Sequence, residues 1–257
     1  MIFLKNPADP STRQALHNAV TYTWEISFSE LNLVSKLGSG QFADVYRGDW
    51  LDTEIAVKQP RGKALDNNLN EDEITVFLRE VKLMSSLHHP NIVLFLGACI
   101  TVPNISLVLE YLSGGSVFEY INSSEGRERA LADSKANATQ MMSFSIDVAR
   151  GMKYLHHRAG IIQRDLKSSN LLIDHTLTVK ICDFGLSKHL NHTATGAGGG
   201  KGSAGPAGAA TPYTVAPEVI RNEKCDSKAD VFSFAVCLWE LYHNELPHEG
   251  MTGPELA

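Results

Sequence analysis

The sequence has no excess of positive charge and few cysteines. Its 23 lysine and arginine residues are outnumbered by 29 aspartate and glutamate residues, which gives a formal net charge of -6. Domains that bind nucleic acid are usually basic, so we expect no nucleic-acid partner. The 4 cysteines lack the paired spacing of a disulfide framework or a zinc site, and this is typical of free thiols in a reducing compartment.

No hydrophobic run in the sequence is long enough to suggest a membrane span. The most apolar stretch, residues 231–241, is about half as long as a bilayer requires. The N-terminal MIFL is followed directly by Lys5, and it is far shorter than the core of a signal peptide. We therefore expect no membrane segment and a cytoplasmic protein.

The two halves of the chain have different periodicities. Apolar and polar residues alternate through 31–50 and 54–59, which predicts strands. Residues 67–87 predict one helix, with Asn70 as its N-cap, and the patterns beyond residue 113 are mainly helical. The chain is therefore expected to have an α+β fold.

The same change of pattern suggests where the domains begin and end. Residues 195–210 are rich in glycine and alanine and carry almost no large apolar side chain, so this insertion is expected to form a loop outside the core. The predicted parts are a leader over 1–25, a small β-rich lobe over 26–112 with one main helix, and a larger, mainly helical lobe over 113–257.

Two glycines in LGSGQFADV, Gly38 and Gly40, would let the backbone approach a phosphate closely. A structural turn is the commoner explanation of such a pair. A dinucleotide-binding motif would need a helix after the glycines, but the strand-like ADVYRGDW follows them. The phosphate-binding motif G-x-x-x-x-G-K-[ST] is absent from the chain. These features favour a glycine-rich hairpin.

Lys58 lies in the strand-like IAVKQ, where an exposed lysine would be the ordinary case. Glu80, however, falls in the helical stripe with Phe77, Val81 and Met84, which is expected to face the core. A carboxylate on that face is costly unless it is paired. We therefore predict an ion pair between Lys58 and Glu80 that leaves the lysine able to contact a phosphate.

The segment IIQRDLKSSN (161–170) precedes two apolar runs, 171–173 and 179–181, which predict a short hairpin. If the hairpin is centred between Thr176 and Leu177, Asn170 and Asp183 lie side by side. Their amide and carboxylate oxygens suit Mg²⁺ bound with the phosphates of a nucleotide.

Two further residues of this segment suit the chemistry of phosphoryl transfer. Asp165 would then accept or orient a substrate hydroxyl, and Lys167 would neutralise a phosphoryl group in transfer. A solvated polar loop is the alternative, and the apolar strands on both sides of the cluster weigh against it.

These motifs, in this order, resemble those of the eukaryotic protein kinases. The family pattern reads G-x-G-x-x-[G]-x-V (38–45), a strand lysine (58), a helix glutamate (80), D-x-K-x-x-N (165–170), D-F-G (183–185) and A-P-E (216–218). WEISFSEL, DLKSSN and KADVFSFAVCLWEL further resemble the tyrosine-kinase-like group, of the Raf and mixed-lineage type. Lys167 is similar to the lysine of serine/threonine kinases. The resemblance covers roughly residues 26–250.

The resemblance implies the bilobal protein-kinase fold and a signalling enzyme. Such an enzyme transfers the γ-phosphate of ATP to serine or threonine hydroxyls of a protein substrate, with Mg²⁺. By resemblance, Lys58, held by Glu80, would bind the α- and β-phosphates, and Asp165 with Lys167 would be catalytic. Asn170 and Asp183 would hold the metal. The implied ATP-binding residues are Leu37, Gly38, Ser39, Gly40, Gln41, Phe42, Ala43, Asp44, Val45, Ala56, Lys58, Leu109, Glu110 and Leu112.

The resemblance also gives supporting roles to residues outside the catalytic set. Asp230 would brace the catalytic loop, and Thr211 would hydrogen-bond Asp165 and Lys167. Arg164 beside Asp165 implies control by phosphorylation of the activation segment, hence an upstream activating kinase as a partner. The candidate phosphorylation sites are Thr193, Thr195 and Ser203.

The sequence departs from the family pattern at four places, one of which is the long activation segment, with Thr214 where relatives place tryptophan. Gln163 replaces the usual histidine before Arg164, and we expect it to loosen the packing around Phe184 without abolishing transfer. Ala43 replaces the third glycine of the hairpin. Family members continue through more helices after the apolar helix expected around 231–241. We therefore expect the larger lobe to be incomplete and Glu218 to lack its arginine partner.

A second function remains open at this point. A pseudokinase, or an inactive kinase fragment, would keep the fold and bind ATP as a scaffold without turnover. The presence of Lys58, Glu80, Asp165, Asn170 and Asp183 favours the enzyme, because pseudokinases usually lack one or more of these residues.

Overall fold

The computed structural model describes residues 24–40, 43–60, 71–189, 212–221, 223–243, 245 and 247. Two compact units are present. The first comprises the described residues up to His88 together with Leu94–Tyr111, and the second comprises His89–Val93 together with the described residues from Leu112 onward.

The first unit contains an antiparallel sheet of five strands in the order β1-β2-β3-β5-β4. The predicted strands are confirmed, and so is the hairpin that carries the two glycines. The strands are β1 (Leu31–Ser39), β2 (Ala43–Trp50), β3 (Thr53–Pro60), β4 (Phe95–Cys99) and β5 (Ser106–Glu110).

The sheet is covered on one face by the main helix of this unit, α1 (Glu71–Met84). Phe77 and Val81 of the helix pack with Leu107 of β5, and this confirms the predicted apolar stripe. The opposite face of the sheet packs around Ile55, Val57 and Val108, all fully buried. Asn70, the predicted N-cap, lies outside the described residues.

The second unit is mainly helical, as predicted. The longest helix ends in a π-helical turn over Tyr154–Ala159 and stops at Gly160, whose φ of 66° is readily adopted only by glycine. Nowhere in the described part of the chain is a helix both long and apolar enough to cross a membrane. The helices are α2 (Val117–Asn122), α3 (Ser124–Ala132), α4 (Ser134–Lys153), α5 (Pro217–Ile220) and α6 (Lys228–His243).

Two small antiparallel ladders lie in the second unit. In the first, β6 (Ile161–Ile162) pairs with β9 (Lys188–His189). In the second, β7 (Leu171–Ile173) pairs with β8 (Val179–Ile181) as the predicted hairpin.

The register of the β7–β8 hairpin differs from the prediction by one residue. Leu171 lies opposite Ile181, and Cys182 N–H donates to the carbonyl of Asn170 at 3.0 Å, so Asn170 does not lie opposite Asp183. The turn is centred on Thr176 because Asp174 Oδ1 accepts hydrogen bonds from the backbone N–H groups of Thr176 and Thr178. The prediction of Asn170 beside Asp183 in the ladder is therefore wrong.

Gly151 allows α4 to approach the segment before β4 closely. A Cβ atom at this position would lie 2.8 Å from the carbonyl oxygen of Asn91 and 2.8 Å from the side chain of Ile181. An alanine inside a helix is normally more stable than a glycine by about 1 kcal/mol. The close packing of α4 at this position therefore requires a residue without a Cβ atom.

We expect Gly151→Ala to destabilise the protein by about 1–3 kcal/mol, because the backbone of Asn91 cannot move aside as a flexible side chain would. The shift of the urea unfolding midpoint measures this change. A midpoint equal to or above that of the wild type would contradict the close packing. Ala149→Gly, an exposed change in the same helix, gives the ordinary cost of glycine for comparison.

Candidate active site

The first unit brings Lys58 and Glu80 together. Lys58 lies on β3 and Glu80 on α1, and the lysine Nζ is 2.7 Å from Glu80 Oε1. The two side chains are 17% and 12% exposed, so the pair is largely withdrawn from solvent. The predicted ion pair is present. It offsets the cost of burying either charge alone and fixes the direction of the lysine side chain.

The same face of the sheet carries several of the residues that the family resemblance assigns to ATP. Val45 lies directly opposite Lys58, and Ala56 lies opposite Leu109. Because paired residues and residues two apart share a face, these four side chains lie on one face. This arrangement presents apolar surface beside one ammonium group.

The glycine-rich hairpin closes through a backbone hydrogen bond from Gly40 N–H to the carbonyl of Ala43, at 2.8 Å. Lys36 and Asp44 form an ion pair across β1 and β2 at 2.9 Å. Leu37, Gly38 and Ser39 lie at the end of β1. The predicted ATP-binding residues Gln41 and Phe42 lie outside the described residues.

The end of β5 is tied to the residue before β4. Glu110 N–H donates to the carbonyl of Leu94 at 3.1 Å, and Glu110 Oε1 accepts from Leu94 N–H at 2.7 Å. Leu112, the last of the predicted ATP-binding residues, belongs to the second unit and is buried.

The second unit brings two of the predicted catalytic and metal-binding residues, Lys167 and Asn170, to Asp165. Lys167 Nζ lies 3.0 Å from Asp165 Oδ2. Asn170 Nδ2 donates to the same oxygen and to the backbone carbonyl of Asp165, both at 2.8 Å. A short 3-10 turn over Ser168–Asn170 makes this geometry possible by returning the asparagine toward the aspartate.

The other oxygen of Asp165 has a different environment. Asp165 is only 7% exposed, and within the described part of the chain its buried Oδ1 has no hydrogen-bond partner. Burial raises the pKa of Asp165 above the ordinary aspartate value, and the charge of Asp183 adds to this, while Lys167 and Asn170 oppose it. A buried carboxylate oxygen without a partner is costly, and a substrate hydroxyl would satisfy it.

The oxygen atoms near Asp165 fit a magnesium ion that is carried by nucleotide phosphates. The amide nitrogen of Asn170 is committed to Asp165, so its oxygen is the atom oriented to coordinate a cation. Asp183 adds a carboxylate that lies near enough to influence the pKa of Asp165. The described residues contain no group of three or more His, Cys, Asp or Glu side chains that would hold a metal alone. Magnesium with phosphate and water ligands needs only such a partial set.

The catalytic segment is anchored to α6 by Asp230, which is 1% exposed. Its carboxylate accepts the backbone N–H groups of Gln163 and Arg164, both at 2.8 Å, and lies 2.7 Å from His156 Nε2. Arg164 has a φ of 67°, a strained value for a residue with a side chain. The predicted bracing contact is present, and it holds the backbone immediately before Asp165 in this conformation.

A profile of the family described as "Protein tyrosine and serine/threonine kinase" matches residues 31–257. The chain belongs to the protein kinase family. The two units are accordingly the N-lobe and the C-lobe of the bilobal kinase fold, and ATP is the nucleotide typical of the family.

The relatives of this kinase confirm the predicted group, the tyrosine-kinase-like serine/threonine kinases. Serine/threonine-protein kinase CTR1 of Arabidopsis thaliana is 43% identical over 218 residues, 84% of this chain and 24% of the relative. Probable serine/threonine-protein kinase SIS8 of the same plant is 41% identical over 224 residues, 87% of this chain and 20% of the relative. Serine/threonine-protein kinase STY46, also from A. thaliana, is 35% identical over 246 residues, which are 96% of this chain and 39% of the relative. The chain thus spans well under half the length of these relatives.

Gln163, where most kinases have histidine, is fully buried. Its Nε2 donates to the backbone carbonyls of Cys182 and Asp183, at 3.1 and 2.7 Å. Its Oε1 accepts from the hydroxyl of Ser187 at 2.8 Å. The loosened packing expected for this replacement stays a prediction, but the side chain has contacts that sequence reasoning did not anticipate.

Two further supporting residues of the kinase C-lobe were missed from the sequence. His156 contacts Asp230 although 74 positions separate them. Glu240, 1% exposed, accepts hydrogen bonds from the hydroxyl and the backbone N–H of Ser168, while burial raises its pKa. The sequence contained one signal for these contacts, namely Glu240 inside the apolar stretch of α6, because a buried carboxylate requires hydrogen-bond partners.

Several residues that the resemblance assigns to the activation segment fall in the part of the chain that the structure does not describe. Thr211, the candidate phosphorylation sites Thr193, Thr195 and Ser203, and the insertion over 195–210 lie outside the described residues.

Proposed function

We propose that this kinase is a catalytically active enzyme that transfers the γ-phosphoryl group of ATP to serine or threonine hydroxyls of proteins. The observation that carries the proposal is the environment of Asp165. Its Oδ2 is fixed by Lys167 and Asn170, while Oδ1 is buried and has no partner among the described residues. A pseudokinase would have no need for this arrangement.

Each residue of the site has a step in the proposed reaction. The substrate hydroxyl binds at Asp165 Oδ1 and passes its proton to that carboxylate as its oxygen attacks the γ-phosphorus. The bond between the γ-phosphorus and the bridging oxygen breaks, and ADP leaves with the bond electrons. Lys167 Nζ, beside Asp165, stabilises the negative charge on the transferred group.

The first unit supplies the proposed contacts to the nucleotide. Lys58, oriented by Glu80, binds the α- and β-phosphates, and the apolar face with Ala56 and Leu109 receives the adenine. Asn170 and Asp183 would hold the magnesium ion. When bound, Mg²⁺ neutralises charge on the phosphate oxygens.

The proposed partners are a protein substrate and an upstream kinase. Arg164, held beside Asp165 by the bond from its N–H to Asp230, is the residue through which a phosphorylated activation segment would act. Its Nε is buried and has no hydrogen-bond partner within the described ranges, so a phosphate group there would satisfy it.

Lys58→Met tests the nucleotide site directly. We expect ATP with Mg²⁺ to raise the melting temperature of the wild type, as any ligand specific for the folded state does, and to leave that of Lys58→Met unchanged. The physical reason is the loss of the one ammonium group that Glu80 directs along the sheet face.

Lys82→Met is the matched control, because Lys82 is an exposed lysine on α1. It is expected to retain the nucleotide-dependent shift. An equal shift in Lys58→Met and in the wild type would refute the placement of the phosphates at Lys58.

A further inference from the structure

Gln163 links the segment before Asp165 to the segment that carries Asp183. Both hydrogens of its amide nitrogen are directed at backbone carbonyls, those of Cys182 and Asp183. Its own backbone N–H is bound to Asp230 of α6. Gln163 therefore connects the backbone of Asp183 to α6.

The backbone of Asp183 requires such support. Its φ is 58°, in the left-handed region that a residue with a Cβ atom adopts only at an energetic cost. One hydrogen bond to this residue from another segment is that of 2.7 Å from Gln163 Nε2 to its carbonyl. A buried donor that is aimed at the strained peptide favours this conformation over relaxed ones.

Ser187 contacts the oxygen atom of the Gln163 amide. Its hydroxyl is 2.8 Å from Gln163 Oε1, to which it donates, and 3.2 Å from the backbone carbonyl oxygen of Gln163, a second acceptor. If the amide were reversed, its oxygen would face the carbonyls of Cys182 and Asp183 and repel them. The β6–β9 register, continued by one residue, places Ser187 opposite Gln163, so the two side chains meet because of strand pairing.

We propose that Gln163 and Ser187 act as one unit of positioning residues that holds the Asp183 peptide, and with it the carboxylate proposed to bind Mg²⁺, in the working conformation. The inference rests on the proposed function only for its effect on metal dependence. Its effect on the backbone at 182–187 is independent of any activity.

The test compares the wild type with Gln163→Met, Ser187→Ala and the double variant. Methionine has a length similar to that of glutamine and forms none of its hydrogen bonds. Hydrogen exchange of the peptide covering 182–187 is measured on the full chain without nucleotide. We expect exchange to rise between about 5- and 30-fold in Gln163→Met, the factor that corresponds to losing one or two buried hydrogen bonds.

The pattern among the variants separates positioning from general destabilisation. In Ser187→Ala the exchange rate is expected to rise less, by about 3- to 10-fold, because Gln163 Nε2 can still donate to the carbonyls of Cys182 and Asp183. The double variant should nearly match Gln163→Met, because the shorter bond of the Ser187 hydroxyl is to the Gln163 side chain and only its 3.2 Å contact with the Gln163 backbone carbonyl survives in that variant. Ser187→Thr keeps the hydroxyl and should restore protection. Ser145→Ala is the control, since it removes another buried hydroxyl that binds a backbone carbonyl, within α4.

A second readout follows phosphoryl transfer. The Mg²⁺ concentration for half-maximal rate should rise in Ser187→Ala, while the KM for the protein substrate stays unchanged. Unchanged exchange in Ser187→Ala and Gln163→Met, or a double variant with additive effects, would overturn the proposal. If Gln163→Met does not fold, the exchange rates of Ser187→Ala and Ser187→Thr test the proposal. Failure of the wild type to transfer phosphate would count against the proposed function and leave the exchange result to decide this inference.

Discussion

Replacing Asp165 by asparagine is expected to lower kcat for phosphoryl transfer by about 10²- to 10⁴-fold, the usual contribution of a general base. The asparagine side chain keeps the size of the aspartate and can still contact Lys167 and Asn170, but it cannot take up the proton of the substrate hydroxyl. Steady-state rates with ATP, Mg²⁺ and a basic protein substrate measure the loss.

The same substitution is not expected to reduce stability at neutral pH. Burial raises the pKa of Asp165 in the folded protein, so the folded state binds this proton more tightly than the unfolded state. The favourable contribution of protonated Asp165 is complete below the ordinary aspartate pKa and is lost as the pH rises through the higher folded value. The ionised form therefore costs stability at neutral pH, and asparagine avoids that cost.

Asp147→Asn serves as the control for this experiment. Asp147 is another buried aspartate of the C-lobe, and its Oδ2 accepts the backbone N–H of Val179. Its replacement should leave the rate per folded molecule unchanged. A fall in kcat of less than about tenfold in Asp165→Asn would contradict the role of Asp165 as the proton acceptor.

Asp230→Ala is expected to lower the free energy of unfolding by about 3 kcal/mol or more. The change leaves two buried backbone N–H groups, those of Gln163 and Arg164, without an acceptor, and each unsatisfied group costs about 1–3 kcal/mol. Any relief of the strained Arg164 backbone would offset only part of this cost. Urea unfolding at neutral pH measures the difference.

Asp226→Ala provides the matched comparison. Asp226 lies just before α6 and accepts Lys228 N–H at 2.7 Å, but it is exposed, so its loss should cost only about 1 kcal/mol. If Asp230→Ala is no more destabilising than Asp226→Ala, the anchoring of the catalytic segment to α6 is weaker than the hydrogen bonds indicate.

Much of the fold could be predicted because it depends on local periodicity. Alternating apolar residues gave the first three strands, and the stripe on α1 gave the partner of Lys58. A charged residue on an otherwise apolar helix face requires a counter-charge, and few lysines were available in neighbouring strands. The family resemblance then supplied the order of the motifs and the bracing role of Asp230.

The errors arose where the structure depends on backbone details or on distant contacts. The β7–β8 register was wrong by one residue because Asp174 caps the turn and Leu177 adopts a φ of 61°. The partners of Gln163 could not be predicted, since Ser187 is brought to it by the β6–β9 pairing of two very short strands. Periodicity carries no signal for pairings of this length.

The most direct test measures binding and transfer on one preparation of this chain. ATP labelled at the γ-phosphate is supplied with Mg²⁺ and a basic protein substrate, and nucleotide binding is followed by the thermal shift. We expect binding together with label on serine and threonine of the substrate, and a rate of labelling about 10²- to 10⁴-fold lower with Asp165→Asn. Binding without any transfer by the wild type would contradict the account and would indicate an ATP-binding scaffold instead.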